Sequence, residues 1–178
     1  YNMSSGAFSA DVTAENLSLD SLPISSSPSG VISGSASAQG TYHEGDFYVN
    51  KASFTGDGNQ LSYQGASAGH ISGFGTYHEG DWNGCAYGRD VSYDGISLDT
   101  ISGMIASRHG VMQVDYLTGT SGEGAFTLNG SYGDTMDLKG EVSAFDLSLL
   151  SGVTGIDMAG QGSGAFHIMG TVDNPTGD

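Results

Sequence analysis

Gly40-Thr41-Tyr42-His43-Glu44-Gly45-Asp46-Phe47 returns 35 residues later as Gly75-Thr76-Tyr77-His78-Glu79-Gly80-Asp81-Trp82. In each copy a glycine sits in polar turn chemistry between alternating segments. There it supplies φ > 0 for a tight return of the chain. A duplicated return implies a duplicated supersecondary unit, so the fold is expected to be an array of hairpins. The preceding glycines Gly30, Gly34 and Gly40 map at the same offset onto Gly65, Gly69 and Gly75, which places the repeats near 30–64 and 65–99. An array of this kind directs the functional reading to an extended surface or groove rather than to one catalytic pocket.

Outward from these hairpins, strand-period alternation dominates. Phe8, Ala10, Val12 and Ala14 alternate with Ser9, Asp11 and Thr13. Met112, Val114 and Tyr116 alternate with Gln113 and Asp115, and Phe126 and Leu128 with Thr127 and Asn129. Met136 and Leu138 flank Asp137, and Phe166 and Ile168 flank His167. Period 2 puts each apolar set on one face and the polar set on the other. The eleven residues Phe8, Val12, Met112, Val114, Tyr116, Phe126, Leu128, Met136, Leu138, Phe166 and Ile168 are therefore expected to share an interior face. Asp11, Asp115, Asn129 and Asp137 are expected to point to solvent.

Turn signals punctuate these runs at Glu44-Gly45, Asp57-Gly58-Asn59, Glu79-Gly80, Asp94-Gly95, His109-Gly110, Gly119 to Gly122 and Tyr132-Gly133-Asp134. The spacing predicts roughly ten to twelve short strands in an antiparallel meander. Helical turns are expected only near 16–22 and 146–151, each with an Asn or Asp in the N-cap position (Asn16, Asp146) and leucines behind it. A second repeat links these places at an offset of 130, near 6–19 and 136–149. Ser25 to Ser29 reads as a polar loop.

The composition narrows the function. Thirty glycines in 178 residues far exceed the usual share of roughly 7%. Only 3 prolines accompany them and no three-residue period appears, so the chain is not collagen-like. Hydrophobic residues make up 37%, which suits a thin apolar layer better than a thick core. Four basic residues against 20 acidic ones give a formal charge of -16. No basic footprint exists to neutralise phosphates, which excludes nucleic acid as a partner and electrostatic adsorption to anionic lipid headgroups.

The single Cys85 cannot form an intramolecular disulfide. The chain opens in mid-pattern and closes on Asn174-Pro175-Thr176-Gly177-Asp178 as if a further repeat should follow. It is expected to be one β-groove segment, residues 1–178, of a longer repetitive protein.

No nucleophile elbow, zinc-protease motif or phosphate loop is present, so no enzyme is expected. His43, Glu44 and Asp46, and likewise His78, Glu79 and Asp81, are metal-ligand types, but side chains at a turn splay outward instead of converging. Thr55-Gly56-Asp57-Gly58-Asn59 lacks the acidic spacing and terminal glutamate of a calcium loop. No metal and no cofactor is expected.

The run Ser143-Ala144-Phe145-Asp146-Leu147-Ser148-Leu149-Leu150 leads into Met158-Ala159-Gly160-Gln161-Gly162-Ser163-Gly164-Ala165-Phe166-His167-Ile168-Met169-Gly170-Thr171-Val172-Asp173-Asn174-Pro175. This resembles the repeating signature of the TamB / AsmA-like family of bacterial envelope proteins, a DLSLL turn followed by a Gly-rich strand pair ending in Asn-Pro. The resemblance covers about 30 residues well. It implies an all-β fold: an elongated, twisted antiparallel sheet curled into an open, taco-like groove, with one or two short helical turns.

It further implies an apolar groove for phospholipid acyl chains, with the eleven residues above as lipid-groove candidates. A place in the bacterial periplasm follows from it, in a parent protein anchored in the inner membrane. So does a role in outer-membrane biogenesis beside an Omp85-type assembly protein outside this segment. The competing reading is a structural or adhesive acidic β-repeat module of a surface protein, and a third is a calcium-dependent repeat. One open concave apolar face separates the first from a sealed structural rod.

Overall fold

The computed structural model describes residues 5–22, 28–150, 159–171 and 174–177. Eleven strands follow one another: β1 Ser5–Ser18, β2 Ser29–His43, β3 Asp46–Tyr63, β4 Ala66–His78, β5 Asp81–Tyr93, β6 Ile96–Arg108, β7 Val111–Ser121, β8 Gly124–Tyr132, β9 Met136–Asp146, β10 Gln161–Thr171 and β11 Asn174–Gly177. Each pairs with its sequence neighbour, all antiparallel, in a single sheet ordered β1 to β11. β1 and β11 are not joined, so the sheet is open. The expected all-β meander is the fold. Residues 1, 25–27, 151, 158, 172, 173 and 178, on which parts of the sequence reading fall, lie outside the described residues.

Five of the hairpin returns are two-residue turns with φ > 0 at both positions. Glu44/Gly45 have φ 53° and 104°, and Glu79/Gly80 have 49° and 98°. Gln64/Gly65, Asp94/Gly95 and His109/Gly110 repeat the geometry. Turns of this handedness match the twist of the flanking strands. A methyl group at Gly45 or Gly80 would touch nothing within 4 Å, so the cost of alanine there is conformational alone. Gly45→Ala is expected to lose about 1 kcal/mol of stability in urea titration.

Asp57-Gly58-Asn59 is not a turn. It runs through the middle of β3, where Gly58 pairs with Ile32 on one side and Ile71 on the other. The true return after β3 is Gln64-Gly65, which lacks the acidic residue of Glu44-Gly45, Glu79-Gly80 and Asp94-Gly95.

Two 3-10 turns, Leu19–Ser21 and Leu147–Leu150, are the helical pieces among the described residues. The second has the expected cap: the Ser148 N–H donates to Asp146 Oδ1 at 2.9 Å. The Ser148 hydroxyl, and then its backbone N–H, hold the Asp146 carboxyl below the usual carboxylate range. A pKa lower in the folded state makes this contribution present above the unfolded pKa and lost as pH falls through the folded one. Ser148→Ala is expected to move the Asp146 titration upward in an NMR-monitored titration, and an unmoved titration would refute the role of the hydroxyl. Asn16 is not a cap. It is a left-handed residue inside β1 (φ 51°) whose N–H donates to Ser33 Oγ at 3.0 Å, and Ser18 stands before the first turn instead.

One sheet cannot enclose a core. The only apolar side chains below one-tenth exposure among the described residues are Ala68, Ala106, Val114 and Phe145. The chain exposes 11619 Å², where a compact fold of this mass exposes about 8100 Å². The 37% apolar content is thus spread over the sheet surface, most of it on one face.

Candidate apolar groove

Side chains directly opposite on neighbouring strands lie on the same face, so the strand register can be read as rows running across the sheet. One row is Ala14, Gly34, Gly56, Gly73, Ala86 and Gly103, from β1 to β6. Every member is glycine or alanine. The row on one side is Ile32, Gly58, Ile71, Gly88, Ile101, Gly119 and Phe126. The row on the other is Val12, Ala36, Phe54, Gly75, Gly84, Ile105 and Val114. Small residues form a floor, and branched and aromatic residues form two walls.

The result is a trench of about 790 Å³, lined along its length by Val12, Ile32, Phe54, Ile71, Trp82, Ile101, Ile105 and Leu117. It crosses six strands, a run of about 24 Å at the usual inter-strand spacing. Beyond β6 the floor row continues as Leu117, Leu128, Gly140 and Phe166, so large side chains close that end. There Phe145 meets Phe126 edge-on at 6.1 Å between ring centroids, and Leu147 lies over Gly162.

The wall residues are held by glycines. Phe54 lies over Gly75, Ile101 over Gly88, Leu117 over Gly103, Phe126 over Gly119 and Phe166 over Gly140. Each large side chain fills the place where the neighbouring strand has no Cβ, the arrangement by which an aromatic covers an exposed strand glycine. Leu61 and Val91 fold back over Gly58 and Gly88 in the same way. They can do so because Gln60 and Asp90 are left-handed (φ 52° and 51°) and kink their strands.

Ten of the eleven sequence-derived residues share this face. Phe8 pairs with Gly40, two residues from Ala38 and four from Ala36 along β2. Val12, Val114, Leu138 and Ile168 stand in one wall row, Phe126 in the other, Leu128 and Phe166 in the floor row. Met112 and Met136 both pair with Tyr132.

Tyr116 is a correction. A bulge in β7 sets two residues, Asp115 and Tyr116, against Met104, and Tyr116 falls on the opposite face. Its hydroxyl sits 3.5 Å from Cys85 Sγ, and that hydrogen bond is the main cause that raises its pKa. Of the eleven, only Val12 lines the trench itself; the others occupy the filled end or the margins. Ile32, Ile71, Trp82, Ile101 and Ile105 were missed, because a glycine stands two residues away on the same face (Gly34, Gly73, Gly84 and Gly103) and interrupts the apolar period.

The other face is polar. One of its rows reads Ser33, Asp57, Ser72, Tyr87, Ser102, Thr118, Thr127 and Glu141. Asp11, Asp115, Asn129 and Asp137 are all exposed. Phe74, Cys85, Met104 and Tyr116 form a small apolar island within it.

At the hairpin tips His43 lies 3.8 Å from Glu44, and Asp81 accepts the His109 N–H at 2.9 Å. The second contact ties two hairpin turns together. Among the described residues no three His, Cys, Asp or Glu side chains converge on a point that could hold a metal. None of the described helical segments is long and apolar enough to cross a membrane.

Comparison with protein-family models, with curated proteins and with solved structures returns no match to the chain.

Proposed function

We propose that the trench receives a phospholipid acyl chain, and that this chain is a groove segment of a lipid-transfer protein of the bacterial envelope. The observation that supports it is the floor of six consecutive glycines and alanines between two apolar walls. Its length of about 24 Å suits a long-chain acyl group. Its 790 Å³ falls in the range of small-molecule sites.

Burial of an acyl chain gains on the order of 0.8 kcal/mol per CH₂. A floor with no side chain larger than a methyl offers no fixed stop, so the acyl chain can slide along it. The headgroup stays outside, since among the described residues the floor and wall rows carry no charged side chain to hold it. The resemblance to TamB / AsmA-like proteins gives the reading its setting: phospholipid passing between inner and outer membranes, with an Omp85-type protein as partner beyond this segment.

A photo-crosslinking amino acid at position 101 or 102 tests it. Ile101 lines the trench and Ser102 lies on the opposite face. Incubated with phospholipid vesicles, the folded protein is expected to capture lipid from position 101 and not from 102. Equal capture from both positions, or none from 101, would overturn the proposal and favour the structural β-repeat.

A further inference from the structure

The floor of the trench is not uniform in what it exposes. Gly34, Gly56 and Gly73 are half-buried and Ala86 is exposed, but Gly103 is buried. The Leu117 side chain lies over it. Leu117 is the next residue of the same row, on β7, and the first in that row larger than alanine. Leu128 stands directly behind it on β8.

Beyond Leu117 the groove face is packed. Val114 and Phe145 are the only apolar side chains larger than alanine below one-tenth exposure among the described residues, and both lie there. Phe126 covers Gly119 and meets Phe145 edge-on. The 3-10 turn Leu147–Leu150 follows β9 and comes back against β6, three strands away. Backbone as well as side chains therefore closes this end.

We propose that Leu117 is the blind end of the acyl path, and that an acyl chain lies in the trench with its methyl terminus against Leu117 and its headgroup end toward β2. The inference rests on the reading of the trench as an acyl-chain site and adds the direction in which the chain lies. Solvation sets that direction. A methyl terminus is at home against Leu117, Ile101 and Ile105, and burial rises with each CH₂ kept in the trench. A carboxylate or phosphate at the same place would face these three side chains with no donor among them, and an unpaired charge in apolar surroundings is costly. Leu117 also sets how far the chain travels. The small residues before it permit sliding. A branched side chain on the floor line arrests it, because displacing a packed side chain forces it off its rotamer. Truncating Leu117 lengthens the path by one strand spacing, about 5 Å, as far as Leu128.

Palmitate carrying a photoreactive diazirine, either at its methyl end or beside its carboxyl, tests the direction. Each probe is bound to the 178-residue chain and irradiated, and the attachment sites are mapped by mass spectrometry. The methyl-end probe is expected to label Ile101, Ile105 and Leu117 at least tenfold more than Ile32 and Phe54, and the carboxyl-end probe the reverse. In Leu117→Ala, with an intact sheet by circular dichroism, methyl-end label is expected at Leu128, where the wild type carries none. The wild-type measurements decide the direction even where the variant does not fold.

Groove-face labelling in the opposite order, or equal labelling along the trench by both probes, would overturn the inference and leave the acyl reading standing. Wild-type label at Leu128 would do the same, as would a folded Leu117→Ala variant labelled like the wild type. Labelling confined to the polar face at Ser102 and Thr118, or none by either probe, would overturn the acyl reading and this inference with it.

Discussion

Gly140→Ala is expected to cost about 3 kcal/mol of stability, some three times the loss at the turn glycine Gly45. A Cβ at Gly140 would overlap the Thr127 carbonyl oxygen and the edge of the Phe166 ring. Neither can yield cheaply. Thr127 is tied into the ladder opposite Glu141, and Phe166 is the aromatic that covers the glycine. Gly140 has no positive φ, so alanine suits its backbone and the whole cost is steric. The ranking is therefore the reverse of what turn chemistry alone suggests. Urea unfolding of both variants decides it: a loss at Gly140 no larger than at Gly45 would show that the row glycines are not there to seat large side chains.

The second large effect is on ligand capture. Ile71→Asp is expected to weaken acyl-chain binding at least a hundredfold. Ile71 stands in a trench wall between Gly58 and Gly88 and is 36% exposed. An unpaired carboxylate there enters an acyl environment at a cost of several kcal/mol, and each 1.4 kcal/mol or so is a factor of ten. The sheet should survive, since the site is open rather than sealed.

Ser72→Asp, one residue on and on the opposite face, is expected to leave capture unchanged. Leu128→Asp, at the closed end beside Leu117, should have a smaller effect than Ile71→Asp. Binding of a fluorescent fatty acid to the three variants reads this directly. Parallel losses from Ile71→Asp and Ser72→Asp would mean that the trench is not the binding face.

Much of this architecture is written in local chemistry. Glu44-Gly45 and Glu79-Gly80 announce tight returns, because a residue pair with positive φ is needed to reverse two right-twisted strands and glycine takes the second position without strain. The alternation at Phe8 to Ala14, at Met112 to Val114 and at Phe126 to Leu128 announces strands with one apolar face, because successive side chains of an extended chain point in opposite directions. From these alone follow an all-β meander, its approximate strand number, its polar face, and the placement of ten of the eleven apolar residues on the other face.

What the sequence could not determine lies across strands. Whether Gly58 is a turn or a mid-strand residue depends on Ile32 and Ile71 standing opposite it, and that register exists only once three strands are paired. The parity of Tyr116 depends on one extra residue in β7, which pairing with Met104 forces and which leaves no mark on the local pattern. The trench is the plainest case. Ala14, Gly34, Gly56, Gly73, Ala86 and Gly103 are scattered over 90 positions of chain, and nothing in the period of any one strand makes them a line. They become a floor because antiparallel hydrogen bonding fixes the register of each strand on the last, and a sheet writes its function perpendicular to the chain.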